Sequence, residues 1–194
     1  MITLYALTQS RAYRIAWLLE HLGLDYRAEI VRRNEQTQLA PESLRSIHPL
    51  GKSPLLQDGS LILPESGAIV EYLIATYDKT GSLRPAAGSP NYPDYLFWLH
   101  YAEGSLMPLL VMSLVFRKID QSPMPFFAKP IARKITDGAR RNFLNPQLEL
   151  HLGFVEQKLQ DELNLPNITA YVRRIESHPD YQKAEARLGK LTLL

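Results

Sequence analysis

The residues best suited to chemistry lie in a short turn near the N-terminus. Ser10 follows an apolar segment and precedes an amphipathic one, and Arg11 and Arg14 come close behind it. A serine in this position can cap the helix that follows, by accepting the backbone N–H of Ala12 or Tyr13. Its hydroxyl can also take part in chemistry, as a nucleophile or as a hydrogen-bond donor. The residues of the turn leave both roles open.

The composition limits the chemistry that the rest of the chain can supply. The 194 residues include no cysteine, which excludes disulfides, thiolate metal sites and a protein thiol nucleophile, so any sulfur chemistry must come from a ligand. Five histidines are scattered without metal-ligand spacing, at positions 21, 48, 100, 151 and 178. We therefore predict no metal.

Charge and hydropathy indicate a soluble protein. The 22 basic and 20 acidic residues are spread along the chain, so the net charge of +2 predicts neither nucleic acid nor a membrane as partner. The basic segments VRRNE and GARRN are interpreted as solvated faces. No run approaches the ~20 apolar residues of a membrane-spanning helix, and MITLYAL lacks the features of a signal peptide. We expect a cytoplasmic protein.

The first part of the chain alternates between strand and helix patterns. Residues 2–7 predict a short buried strand, and the apolar spacing then becomes that of a helix that ends at Gly23. A second strand is expected over 25–31. Two apolar runs around Asp58-Gly59 predict a β-hairpin, and another helix begins near Ser66.

The composition changes after that helix. Residues 79–90 are rich in Gly, Pro and Ser and are interpreted as a linker. Beyond it, apolar residues recur at helical spacing without any hairpin signal. We therefore predict an α/β domain over residues 1–78, in the order β-α-β-β-β-α, and an all-α domain over residues 91–194.

Several stretches resemble the cytosolic glutathione S-transferase family. They are SRAYRIAWLLEHLGL, HPLGKSPLL, LPESGAIVEYL, WLHYAEGSLMP and ITAYVRRIESHPDYQKA. YAEGSLMP and PFFAKPIARKI are similar to a bacterial and fungal serine-type subgroup with Ser-Arg in its active-site turn. The resemblance implies a thioredoxin-like N-terminal domain that binds glutathione and a helical C-terminal domain.

The resemblance also implies partners for the γ-glutamyl end of glutathione. Ser66 and its N–H would take the carboxylate at a helix N-terminus, where the helix dipole favours an anion, and Glu65 would take the ammonium. The alternative is that Ser66 is the N-cap and Glu65 a first-turn carboxylate. Both can hold together.

The rest of glutathione is assigned to the segment before the third strand. Pro54 stands where the family carries a cis-proline, and the Ser53 backbone would then pair with the cysteinyl amide. Lys52 would meet the glycyl carboxylate, unless it is simply solvated. His48 resembles a loop position near the same site, or it is structural.

In serine-type members a hydroxyl four residues before an arginine hydrogen-bonds the glutathione sulfur, and here that pair is Ser10 and Arg14. A free thiol has a pKa near ~8.5, and a shift of ~2 units corresponds to ~2.7 kcal/mol, which one hydrogen bond to a charged acceptor and the helix N-terminus can supply. Arg11 would add positive potential, and Arg14 would brace the turn. Ala12 departs from the subgroup pattern, which usually has a second serine there, and Tyr5 is a weaker alternative donor.

The function implied is conjugation of the glutathione thiol to small hydrophobic electrophiles, with reduction of hydroperoxides as a further possibility. The electrophile pocket would adjoin the first turn and the WLHYAEGSLMP helix, with Tyr101 and Met107 as candidate walls and either residue alternatively part of the core. We expect a homodimer with no metal. The alternative function is a non-catalytic glutathione-binding scaffold.

The segment KLQDELNLPNITAYV is shorter than in the family. Members usually carry a further loop and a buried helix here, so roughly 40 residues and the core contacts of one helix are lacking. We expect either that a segment between Leu163 and Asn164 is missing from the given chain or that this is a truncated variant, and we favour the first.

Overall fold

The computed structural model describes residues 1–35, 37, 39–163 and 168–190. The chain divides into two compact units. One consists of Met1–Ala87 together with the segment from Arg173 onward, and the other is Gly88–Val172. The junction between Leu163 and Asn164, where we expected a missing segment, leads into residues outside those described.

The first unit is built on a 4-stranded sheet with the order β2-β1-β3-β4. β1 runs parallel to β2 and antiparallel to β3, which in turn is antiparallel to β4. The strands are β1 (Ile2–Leu7), β2 (Tyr26–Val31), β3 (Leu55–Asp58) and β4 (Leu61–Pro64), and the helices that follow β1 and β4 are α1 (Ala12–His21) and α2 (Ser66–Tyr77). This confirms the thioredoxin-like order of elements.

The core of this unit follows the apolar spacing of the sequence. Ile15 and Leu19 lie four residues apart on α1 and are fully buried, as is Leu4 on β1. Gly23 has a φ of +65° just after α1, and Gly59 has a φ of +59° in the β3–β4 turn. Glycine adopts this left-handed conformation without the clash of a Cβ, so each glycine ends its element where the sequence predicts.

The last helix also belongs to this unit. Helix α8 (Pro179–Leu188) packs on α1, and its Ala184 and Leu188 are buried in the same core as Ile15 and Leu19. We expected α8 in the helical domain of residues 91–194, whereas the second compact unit ends at Val172. The difference arises because one apolar face of α8 completes the core beside α1.

The regular elements of the second unit are all helices within its described residues. Its helices are α3 (Tyr92–Tyr101), α4 (Met107–Gln121), α5 (Ala128–Ala139), α6 (Asn145–Leu163) and the first half of α7 (Ile168–Glu176), with π-helical turns at Ala102–Leu106 and Arg140–Leu144. The all-α prediction is confirmed. The continuous helix Tyr92–Gln121 is, however, long and apolar enough to cross a membrane, which the sequence analysis did not anticipate. A single such helix is weak evidence, since core helices of soluble proteins meet the same criteria.

Candidate functional site

Ser10 lies in the turn between β1 and α1. Its Oγ accepts the backbone N–H of Ala12 at 3.2 Å. Ala12 is the first residue of α1, and the first N–H groups of a helix have no partner within the helix. Ser10 is half-buried. The hydrogen bond to Ala12 expected of a capping Ser10 is therefore present, although the N-cap position itself belongs to Arg11, which makes no side-chain capping bond.

The same hydroxyl keeps its proton for another partner. The Oγ of Ser10 lies 3.5 Å from the Oγ of Ser53, at the limit of a hydrogen bond. Ser53 Oγ donates its single proton to the carbonyl of Tyr5 at 3.1 Å and accepts the N–H of Leu7 at 2.9 Å. Capping uses a lone pair of Ser10 and leaves its O–H as a donor, so capping and hydrogen bonding to a sulfur are compatible.

Ser53 and Pro54 connect this turn to the sheet. The Ser53–Pro54 peptide bond is cis, as the sequence analysis expected. Pairing of β1 with β3 ends at Tyr5 and Leu55, and the Ser53 side chain then bonds the backbone of β1 beyond that pair. The fold thus brings two predicted site residues, Ser10 and Ser53, next to each other.

Glu65 and Ser66 lie at the N-terminus of α2. Ser66 is the first helical residue and is buried, and Glu65 is the exposed N-cap with a φ of +72°. The Glu65 carbonyl accepts the N–H of Ile69 at 2.9 Å. The alternative in which Ser66 is the N-cap is wrong, because that position belongs to Glu65, which makes no side-chain capping bond.

The remaining residues expected near glutathione differ in their surroundings. Lys52 is exposed. His48 Nδ1 accepts the N–H of Leu50 at 3.3 Å, which supports the structural alternative for this residue. Tyr5 lies within β1 and its hydroxyl donates to Gln57 Oε1 at 2.8 Å, so its proton already has an acceptor. 

Arg11 and Arg14 flank the start of α1. Both are exposed, and the N–H of Arg14 donates to the carbonyl of Arg11 at 3.2 Å. This main-chain contact belongs to the first turn of the helix. The roles expected for the two guanidinium groups stay predictions.

The sequence analysis missed Arg33, which lies just after β2. Its Nε donates to the Thr8 carbonyl and its Nη2 to the Gln9 carbonyl, each at 3.0 Å. Burial lowers the pKa of Arg33. The interpretation of VRRNE as a solvated face is wrong for this residue, because its guanidinium binds the main chain of the Ser10 turn. Nothing in the sequence around Arg32 and Arg33 indicated which of the two side chains would be half-buried.

Tyr101 and Met107 lie in the second unit. Tyr101 is buried, its ring stacks on Phe97 with 5.1 Å between centroids, and its hydroxyl is 2.8 Å from His151 Nδ1. Burial raises the pKa of Tyr101. Met107 is half-buried at the start of α4. A role for either residue at an electrophile pocket stays a prediction.

One group of side chains has the chemistry of a metal site. Potential ligand atoms of His21, His178 and Asp180 lie within 4.8 Å of one another. Spacing did not reveal this group, because α1 carries one member and the other two come from the start of α8. Asp180 Oδ2 is 3.1 Å from His21 Nδ1, Asp180 Oδ1 accepts from Lys183 at 3.0 Å, and His178 Nδ1 accepts the Asp180 N–H at 3.3 Å. The group is thus internally hydrogen-bonded at the contact between α1 and α8.

Comparison with known proteins identifies the family. Residues 1–75 match the N-terminal domain of glutathione S-transferases. The chain is 35% identical over 166 residues to glutathione S-transferase 1 of Saccharomyces cerevisiae, covering 82% of this chain and 70% of that protein. Glutathione S-transferase 3 of Schizosaccharomyces pombe is 32% identical over 160 residues, which cover 82% of this chain and 64% of that protein. The alignments thus span about two thirds of the length of these relatives.

A solved structure extends the similarity over the whole fold. The crystal structure of a glutathione S-transferase from Actinobacillus pleuropneumoniae superposes with a TM-score of 0.77 at 34% identity, covering 98% of this chain and 94% of that chain. Sequence and fold therefore agree across both compact units. The chain belongs to the glutathione S-transferase family.

Proposed function

We propose that this protein binds glutathione in its first compact unit, ionises the thiol with a hydrogen bond from Ser10, and transfers the thiolate to a small hydrophobic electrophile. Family membership supports glutathione conjugation as the activity. The observation that carries the role of Ser10 is its hydroxyl, which accepts the Ala12 N–H and whose proton has in this turn only the long 3.5 Å contact with Ser53 Oγ. This observation supports our proposal that the protein is of the serine type.

The proposed chemistry needs little more than this donor. The bound thiol gives its proton to solvent water. The thiolate then displaces a leaving group from an electrophilic carbon, or adds to an activated double bond that takes up a proton from solvent, and a thioether forms. A hydrogen bond to a charged acceptor contributes about 1.5 to 3 kcal/mol, equal to a pKa decrease of about 1 to 2 units. The N–H of Ala12 polarises the Ser10 hydroxyl, and the N-terminus of α1 favours a negative charge nearby.

The remainder of glutathione is assigned to the neighbouring segments. Lys52 supplies a cation for the glycyl carboxylate, and the Ser53 backbone pairs with the cysteinyl amide beside Pro54. Glu65 is an exposed carboxylate for the ammonium, and Ser66 offers its N–H at the start of α2 to the γ-glutamyl carboxylate. The glycyl carboxylate and the ammonium thus each face an opposite charge, whereas the γ-glutamyl carboxylate faces a neutral N–H donor at a helix N-terminus.

The assembly and the second substrate follow from the family resemblance. We infer that the protein is a cytoplasmic homodimer and that Tyr101 and Met107 line its pocket for the electrophile. We also infer that it can reduce hydroperoxides. Exposed apolar side chains spaced four residues apart on α4, at Val111, Val115 and Ile119, are suited to cover by a second copy. Sedimentation equilibrium tests this, because a mass equal to one chain would exclude the dimer.

The role of Ser10 is tested by titrating the thiolate absorbance of bound glutathione. Ser10→Ala should raise the thiol pKa by about 1 to 2 units, because the donor to the charged sulfur is lost. Ser60→Ala, an exposed serine in the β3–β4 turn, should leave it unchanged. Equal thiol pKa values in Ser10→Ala and wild type would exclude Ser10 as the activator.

The same titration distinguishes the alternative function. A non-catalytic scaffold would bind glutathione while its thiol keeps the pKa of the free molecule. Turnover with a panel of electrophiles would then be absent from the wild-type protein. A lowered thiol pKa together with turnover supports the enzyme.

A further inference from the structure

Arg33 ties the end of β2 to the turn that carries Ser10. Its guanidinium uses two nitrogens, with Nε donating to the Thr8 carbonyl and Nη2 to the Gln9 carbonyl, each at 3.0 Å. Thr8 also donates its N–H to the Val31 carbonyl at 2.9 Å. The two carbonyls that precede Ser10 are thus both held by one side chain.

The conformation of the turn explains why such a tie is useful. Gln9 has a φ of +54°, in the left-handed region that residues with a Cβ seldom adopt. The Gln9 side chain is itself held, because its Nε2 donates to the Lys190 carbonyl at 3.2 Å. Arg33 on the Gln9 carbonyl and Lys190 on the Gln9 side chain therefore stabilise a left-handed backbone conformation that Gln9 would seldom adopt by itself.

Arginine is suited to this task in a way that lysine is not. The guanidinium is planar and presents several N–H donors in a fixed fork, whereas an ammonium is a compact charge on a flexible stem. Arg33 is half-buried, and its neighbour Arg32 is exposed. The two arginines therefore differ in environment, although they are adjacent in the sequence.

We propose that Arg33 is a positioning residue for Ser10, which fixes the turn so that the Ser10 hydroxyl points at the glutathione sulfur. This inference rests on the proposed function of Ser10. Arg33 acts through the main chain of Thr8 and Gln9 and has no direct contact with the thiol. Its loss should therefore affect thiol activation more than the binding of glutathione, whose charged ends are assigned to other segments.

The test compares Arg33→Met and Arg33→Lys with wild type and with Arg32→Met as the matched control. Both Arg33 variants should lower kcat/KM about 10- to 100-fold, since small misplacements of catalytic groups have effects of that size. The thiol pKa of bound glutathione should rise, and the KM for glutathione should change less than about threefold. Arg32→Met should match wild type in all three measurements.

A merely structural role for Arg33 would lower the thermal unfolding midpoint and leave the thiol pKa of the folded enzyme unchanged, which would overturn the proposal. Full activity of Arg33→Lys would overturn it as well, because charge alone would then suffice. Arg33→Lys keeps the cation, so it serves if Arg33→Met does not fold.

The Ser10→Ala background separates this inference from the proposed function. If Ser10→Ala leaves the thiol pKa unchanged, the proposed function fails. If Ser10→Ala raises it and the Arg33 variants do not, the Arg33 inference alone fails. If Arg33 acts through Ser10, adding Arg33→Met to Ser10→Ala should raise the thiol pKa no further.

Discussion

The side chain of Ser53 extends the hydrogen bonding of the sheet beyond the last paired residues of β1 and β3. Its Oγ accepts the Leu7 N–H at 2.9 Å and donates to the Tyr5 carbonyl at 3.1 Å. Pro54 has no N–H to offer, so a side chain takes the place of the backbone here. Ser53→Ala removes both bonds and leaves the rest of the turn in place.

The expected cost can be worked out from these two contacts. Loss of a typical hydrogen bond costs about 1 kcal/mol, which we assign to the half-buried Tyr5 carbonyl. Leu7 is 5% exposed, so its N–H cannot readily turn to water, and an unsatisfied buried donor costs about 1 to 3 kcal/mol. We therefore expect Ser53→Ala to lower the free energy of unfolding by about 2 to 4 kcal/mol.

The assay is equilibrium denaturation with urea, supported by thermal unfolding. A loss of this size should lower the Tm by roughly 4 to 16 °C in a chain of this length. Ser60→Ala is the control, because that serine is exposed in the β3–β4 turn. A loss below about 0.5 kcal/mol for Ser53→Ala, the range of ordinary surface substitutions, would refute the reasoning.

Two further predictions concern other parts of the fold. Leu188→Ala should lower the free energy of unfolding by about 2 to 4 kcal/mol, because Leu188 is buried where α8 joins the core. The control Leu50→Ala, at an exposed position, should lower it by less than about 0.5 kcal/mol. Urea denaturation measures both, and equal losses would contradict the packing of α8. Hydrogen bonds from Thr136 and Arg140 hold the pKa of Asp120 below its usual value. The ionised Asp120 side chain therefore stabilises the folded protein above the unfolded pKa of about 3.9, and this contribution is lost as the pH falls through the folded pKa. Asp120→Asn should therefore lower the Tm at pH 7, and this difference from wild type should shrink as the pH falls below about 3.9. A Tm difference that stays constant as the pH is lowered would contradict this.

Local sequence patterns were sufficient to predict the elements around the site. Strand 2–7, the helix that ends at Gly23 and the hairpin around Asp58-Gly59 are all present. These features depend on the period of apolar residues and on glycines with positive φ, which neighbouring residues specify. The positions of Ser10 and Ser66 at the starts of α1 and α2 follow from the same local signals.

Contacts between distant segments could not be predicted in this way. Arg33 meets the Ser10 turn, His21 meets Asp180, and Leu188 completes the core beside α1. In each case the local sequence did not indicate the contact. Arg33 is adjacent to a second arginine, His21 has no other histidine at metal-ligand spacing, and the pattern of the last helix does not indicate which element it packs against.

The sequence by itself therefore determined the order of strands and helices, the family and the identity of the candidate hydroxyl. The tertiary structure decided which groups contact that turn, namely the Arg33 guanidinium on the Thr8 and Gln9 carbonyls and Ser53 Oγ 3.5 Å from the hydroxyl. The physical reason is that periodicity and turn propensity act over a few residues, whereas a hydrogen bond between segments depends on where the whole chain brings its donor and its acceptor.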